Sequence, residues 1–312
     1  MLVRIAASLL CALTLAGFLG RVHWFFDTWS HFRVQYFLAL GVCLAFLLVP
    51  RDWLFVGLAG ACFALNAAEI APLYVGERAA AVDETAPRLK LLHANVYEDN
   101  RKPERFLALI EESDPDVIVV IEATPAWVKT LEPLAEDYPH SIAEVRDNAF
   151  GIALYSRLPL VDAGIVTYGR AGKPSILAAV ELDGTRIALL ATHPVPPFRP
   201  HHWRLRNEQL EAIAAARGEL GDRLIIAGDF NTSPFSPCLK HFVAAMSTPE
   251  SKLRWAGRGF GFKPTWPTFN RLMFTPIDHI YMTDNLAVTE FRTGPHIGSD
   301  HLPIQATIAL SE

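Results

Sequence analysis

Apolar residues are distributed along this chain in two different ways. Up to residue 76 they form three long runs, at 5–19, 36–49 and 54–75. From residue 89 the runs shorten to strand length and alternate with turns and helical stretches. Residues 89–96 (LKLLHANV), 116–122 (DVIVVIE), 152–156 (IALYS), 176–182 (ILAAVEL), 223–230 (RLIIAGDF), 277–282 (IDHIYM) and 304–310 (IQATIAL) read as strands. ELDGTRIALLATH predicts a hairpin turning at Asp183-Gly184. Helices are expected over 103–113, which begins with Pro, and over 204–217. Strands and helices mixed on this scale predict a four-layer α/β sandwich, two packed sheets with helices outside.

The first 76 residues call for a different environment. About 20 apolar residues cross a bilayer. The first two runs are short for that, but both are extended by aromatic flanks. VHWFFDTWSHF, at 22–32, has the aromatic composition of a membrane interface. Glu69, late in the third run, can reach headgroups or water from a helix end. No small-residue cleavage site follows the first run, which favours an uncleaved anchor over a signal peptide. The expected organisation is a membrane anchor of about three helices (1–76), a linker (77–88) and the α/β domain (89–312). Three spans would place Arg4 and Arg51 on one side and Arg21, Arg33 and Arg78 on the other, so the positive-inside count does not orient them. The first run resembles a signal anchor, and that points to a multi-pass protein with a periplasmic or extracellular α/β domain.

Composition narrows the function. The four cysteines show no CxxC spacing, which argues against a zinc cluster or a disulfide framework. From Thr85 onward 23 Lys and Arg face 27 Asp and Glu, so any nucleic-acid binding must use a local patch. One segment has that character. Residues 251–277 lack Asp and Glu but carry Lys252, Arg254, Arg258, Lys263 and Arg271, interleaved with Trp255, Phe260, Phe262, Trp266, Phe269 and Phe274. Read as a loop, it suits an anionic headgroup at an interface or stacked single-stranded bases. The plainer alternative tucks its aromatics into the core.

Several expected strands end in polar residues that folding alone does not demand: Asn95, Glu122, His193, Asp229 with Asn231, Asp278, and Asp300-His301 before the last strand. Singly, each has an ordinary explanation as a turn, cap or strand edge. Together, HANV, VIEAT, ALYSR, ATHP, GDFN, TW, IDHIYM and GSDHLP occur in the order seen in the endonuclease/exonuclease/phosphatase superfamily, and the chain resembles that superfamily over about residues 89–310. Its members include pancreatic-type deoxyribonucleases, abasic-site endonucleases, neutral sphingomyelinases and inositol-polyphosphate 5-phosphatases.

The resemblance implies roles. Glu122 would be the main metal carboxylate, with Asn95 beside it and Asp300 as a further contact, direct or through water. The ion would be Mg²⁺, with Mn²⁺ as a substitute, since hard oxygens suit it. Asp278 and His301 resemble the family's His–Asp pair, with His301 acting either as a base on water or as a cation against phosphate. Asp229 would orient or activate water, Asn231 would hold a phosphoryl oxygen, and His193 would give a second phosphate contact. Ser156 and Arg157 either join the site or simply end a strand; His279 and Ser299 read as structural neighbours. Tyr97 stands where some relatives carry a second polar residue, which weakens the case for several metal ligands on the first strand.

Three functions follow. The first is a membrane-anchored phosphoesterase cleaving a phosphomonoester, diphosphate or phosphodiester, with the bilayer as partner and a lipid-linked phosphate as substrate. The second is a tethered nuclease, disfavoured by the acidic domain and the anchor. The third, an inactive binding module, is opposed by the intact polar set. Oligomeric state is not readable from the sequence.

Overall fold

The computed structural model describes residues 1–76, 83 and 85–311. Most of the expected linker, residues 77–82 and 84, lies outside them, as does Arg78.

The short apolar runs form two six-stranded sheets. The first has the order β11-β12-β1-β2-β4-β3 and the second β5-β6-β7-β8-β10-β9. In chain order the strands are β1 (Arg88–Asn95), β2 (Val117–Ile121), β3 (His140–Glu144), β4 (Ile152–Ser156), β5 (Val161–Thr167), β6 (Pro174–Leu182), β7 (Thr185–Thr192), β8 (Leu224–Asp229), β9 (Leu253–Trp255), β10 (Asp278–Thr283), β11 (Leu286–Thr293) and β12 (Ile304–Leu310). Only β1–β2 and β7–β8 pair in parallel; the other neighbours are antiparallel. The hairpin between β6 and β7 turns at Asp183 and Gly184, both at positive φ, as a two-residue turn between twisted strands requires.

The sheets pack face to face. Alternate residues of both, among them Leu89, Leu91, Val119, Ile187, Leu189, Ile225, Ala227, Ile280 and Ile308, form one core between them. The outer faces are covered by α5 (Pro103–Ser113) and α6 (Pro125–Leu131) on one side and by α7 (Pro200–Ala215) and α8 (Pro237–Met246) on the other. The architecture is the expected α/β sandwich. The sequence reading passed over β3, β5, β9, β11, α6 and α8, which are short or only partly apolar, and began α7 four residues late.

The long apolar runs form α1 (Leu2–Ala16), α3 (Arg33–Leu48) and α4 (Trp53–Tyr74), which pack around Ala7, Leu40, Leu47 and Ala59. Among the described residues two helices are long and apolar enough to cross a membrane, Leu2–Leu19 and Trp53–Tyr74. The third expected span differs. At about 1.5 Å per residue, the 16 residues of α3 fall short of a ~30 Å hydrocarbon core. It passes only together with α2 (Trp24–Ser30), from which it is bent by 67°. Arg33 is not a side marker: it is buried, donating to Thr14 O and Asn66 Oδ1 and lying 4.1 Å from the centroid of the Phe18 ring. Arg4 pairs with Asp52, so the start of α1 and the start of α4 lie at one end of the bundle. The end of α4 meets the sandwich at the other, where Glu69 pairs with Lys240 rather than standing free.

With two such helices, full-length protein is expected to stay with membranes through high-salt washing and to need detergent for release. Recovery of uncleaved chain in the soluble fraction would contradict this.

Candidate active site

The two-residue period that builds the core also builds the site. Along β1 the inward face reads Leu89, Leu91, His93, Asn95; along β8 it reads Ile225, Ala227, Asp229. The same face, followed to the open end of the sandwich, changes from aliphatic to polar. That end holds the C-termini of both parallel pairs, where ligand crevices form in sheets with parallel strands. Asn95, Glu122, His193 and Asp229 all stand there. Asp278 opens β10 directly opposite Asp229.

Glu122 breaks the alternation. It follows Ile121, an inward residue, and strict alternation would send it outward. It has φ 67, a left-handed conformation that re-aims the side chain into the site. Asn95 Nδ2 donates to Glu122 Oε1 at 2.9 Å and to Asp229 Oδ2 at 3.2 Å, so one amide spans carboxylates from both sheets. Two glycines allow this crowding. A Cβ on Gly228 would lie 1.9 Å from Thr192 O, and one on Gly151 would lie 2.1 Å from Ala123 O.

Asp278 is the hub of the site. Its Oδ2 lies 2.8 Å from His301 Nδ1 and its Oδ1 lies 3.0 Å from His93 Nε2. His93 was not singled out from the sequence, although it lies on the same strand face as Asn95, two residues earlier. Burial disfavours charge throughout this cluster. For His301 the charges of Asp278 and Asp229 outweigh burial and push the imidazole up to about 10. Burial is likewise outweighed at Asp278, held low by His301 and by hydrogen bonds from both imidazoles. At Asp229 burial wins, reinforced by the charge of Asp278, and its carboxyl is pushed up. Burial and the nearby His301 charge hold His193 neutral, down to about 3.

His193 Nε2 and His301 Nε2 lie 3.6 and 3.7 Å from Asp229 Oδ2. Asn231, at φ 51, donates its backbone N–H to Asp229 Oδ1 and its side-chain amide to Pro194 O. Asp300 sits at the rim. Its Oδ2 accepts from the Trp266 indole at 3.2 Å, and its Oδ1 is buried without a partner. Ser299 is structural as expected, tying Asn95 O to His301 N. So is His279, which meets Thr232 O. Ser156 and Arg157 are not brought in. Ser156 pairs with Val117 at the opposite end of β2, and Arg157 pairs with Asp114.

Asp229, Asp278 and His301 present donor atoms all within 4.8 Å of one another, enough to hold a cation. Both Asp278 oxygens face imidazoles, which suits an ion pair with His301 better than a metal cage. The partnerless Oδ1 of Asp300 fits a cation better. Glu122 also brings carboxylate oxygens to this edge; burial raises its pKa against hydrogen bonds that Asn95 and the Glu98 N–H give to Oε1 and Oε2. Both offer hard oxygen, as Mg²⁺ requires.

A sequence model described as the Endonuclease/Exonuclease/phosphatase family matches residues 92–301. Among solved structures, D. rerio TDP2 complexed with single-strand DNA product aligns at 17% identity and TM-score 0.60, covering 71% of this chain and 98% of that one. The human Nocturnin catalytic domain with bound sulfate aligns at 20% and 0.59, covering 72% and 96%. An endonuclease/exonuclease/phosphatase from Beutenbergia cavernae aligns at 18% and 0.55, covering 72% of each chain. No curated protein gives a significant match.

His301→Ala and Asp229→Ala are each expected to slow turnover by roughly 10²-fold or more with the fold intact, the loss expected when acid–base help is removed. Asp278→Asn should impair the same step, and combining it with His301→Ala should add little further loss. Strictly additive losses, with folding checked by thermal unfolding, would refute the coupling of Asp278 to His301.

Proposed function

We propose that this chain, which belongs to the endonuclease/exonuclease/phosphatase family, is a membrane-anchored, Mg²⁺-dependent phosphoesterase acting on a phosphate ester presented at the bilayer surface. The observation that carries the surface reading is the tie between the site's rim and the apolar helices. Residues 265–275 form a loop whose Trp266 holds Asp300 and whose Thr268 N–H donates to Asp300 O. The far side of this loop is bonded to the α2–α3 junction: Gln35 Nε2, in the first turn of α3, donates to Phe274 O at 2.8 Å, and Thr275 Oγ1 donates to the O of His31, which ends α2. Its tip leaves Phe269 76% and Leu272 83% exposed, apolar groups suited to an interface. Substrate held by lipid would then meet the site at high effective concentration.

The wider reading of 251–277 is corrected. Trp255 and Phe260 pack among core residues, and Phe262 packs against Ile70, Leu73 and Phe235. Arg254 pairs with Asp284, and Leu253 and Arg254 lie opposite Thr283 and Met282, at the far end of β10 from Asp278. Arg254 therefore lies away from the site.

In the proposed reaction Asn95, Glu122 and Asp300 hold the metal, which supplies Lewis-acid neutralisation of phosphoryl charge when bound. Asp229, its proton affinity raised by burial, takes a proton from the attacking water as that oxygen bonds to phosphorus and the ester P–O bond breaks, the leaving oxygen taking a proton from solvent. Protonated His301, fixed by Asp278, faces the developing phosphoryl charge, and its raised pKa supports the cation reading over the base. Asn231 and neutral His193 donate to phosphoryl oxygens. The apolar helices hold the enzyme in a membrane as a multi-pass protein, with the catalytic domain outside the cytoplasm. The nuclease reading keeps one argument, the solved TDP2 relative that holds a single-strand DNA product.

Exhaustive chelation should abolish turnover and Mg²⁺ or Mn²⁺ should restore it; full activity without metal would defeat the proposal. For substrate class, Phe269→Asp/Leu272→Asp should lower hydrolysis of lipid diphosphates and phosphodiester lipids in vesicles more than that of soluble bis(p-nitrophenyl) phosphate. If DNA is cut fastest, with steep loss at higher salt, and the lipids are untouched, the nuclease reading replaces this one.

A further inference from the structure

The helices do more than adjoin the sandwich: α2 grips the loop that carries Asp229 and Asn231. Asp27, in α2, is 1% exposed, and Arg206, in α7, is 0% exposed. Their ion pair closes at 2.6 Å. Trp203 Nε1 also donates to Asp27 Oδ2 at 3.1 Å, and Ser236 Oγ donates to Oδ1 at 2.6 Å. The other arm of the same guanidinium, Arg206 Nη1, donates to Asn231 O at 3.2 Å. Four residues beyond Asp27, His31 Nδ1 accepts the Ser233 N–H at 3.2 Å and lies 2.9 Å from Ser233 Oγ.

Segment 229–236 is thus held at three points by side chains outside the site. Asn231 and Ser233 are held from behind, and Ser236 is bound where it caps α8. Asn231 needs such restraint. Its positive φ costs energy and persists only where surrounding contacts over-determine it. A peptide that relaxed there would swing the Asn231 amide away from the phosphoryl position and release the N–H that orients Asp229.

We propose that Asp27, His31 and Arg206 are positioning residues, and that docking of α2 sets the catalytic geometry of the 229–236 loop. The apolar helices are then part of the active site's framework and not a detachable tether. The catalytic half of this inference rests on the phosphoesterase reading; the mechanical half does not.

The test uses full-length protein in lipid nanodiscs with Mg²⁺ and bis(p-nitrophenyl) phosphate, alongside amide hydrogen exchange. Removing one charge would strand the other in a buried place, so Asp27→Leu/Arg206→Met removes both. His31→Ala probes the second contact, and His31→Asn restores an acceptor near Nδ1. Expected are faster exchange in 229–236 with β1 and β2 unchanged, and kcat lower by ~10-fold or more with KM nearly constant, since small misplacements of catalytic groups cost this much. His31→Asn should recover much of the loss. Wild-type kcat in the folded double variant overturns the proposal, whether or not the loop exchanges faster. If wild type itself does not turn over the probe with metal present, the phosphoesterase reading fails, and loop exchange alone decides whether the clasp exists.

Discussion

Asp278 keeps a carboxylate at a place almost without water, between two sheets that otherwise meet through aliphatic side chains. A buried charge of this kind is tolerable only when paired and hydrogen-bonded, and here two imidazoles do it, one from each side. His93 comes from the middle of the first sheet, and His301 comes from the loop that enters its neighbouring strand. The carboxylate therefore fixes the register of the two sheets at their open end while it sets the charge of His301. Losing it would leave His301 without the partner that outweighs burial.

Around this hub, each remaining polar group is held by more than one constraint. Asn95 joins Glu122 to Asp229 across the sheets. Glu122 enters the site only through a left-handed backbone. Gly228 and Gly151 let chain segments approach more closely than any side chain would allow. The oxygens left over, above all Asp300 Oδ1, are those on which a divalent cation would relieve an unfavourable burial. Asp300 Oδ1 differs in this from the oxygens of Asp278 and Glu122, each of which already accepts a hydrogen bond or faces an imidazole.

The boundary between apolar bundle and sandwich is polar where a simple tether would need nothing. Asp27 and Arg206 are as buried as any aliphatic residue of the core, and a pair that deep is weak evidence for stability but fixes geometry well. Glu69, Gln35 and His31 add contacts along the same boundary. The 265–275 loop, whose Trp266 bonds to Asp300, is tied to the same boundary through Gln35 and His31.

Much of this was legible in the order of the residues. Short apolar runs between turns gave the strands, Asp183-Gly184 gave the hairpin, long apolar runs gave the helical bundle, and GDFN with SDHLP gave the family, because each is a local pattern. Other features were not local. His93 and Asp278 are 185 residues apart, and Asp27 and Arg206 are 179 apart. Nothing near His31 announces Ser233, and nothing in ALYSR shows that its Ser points to the wrong end of a strand. The aromatics of 251–263 looked like an interface because composition carries no direction. The sequence by itself determined which residues could do phosphoester chemistry and which segments were apolar enough for a membrane. Only the tertiary structure decided which of them meet, since antiparallel register and helix docking, not proximity along the chain, bring buried charges to their partners.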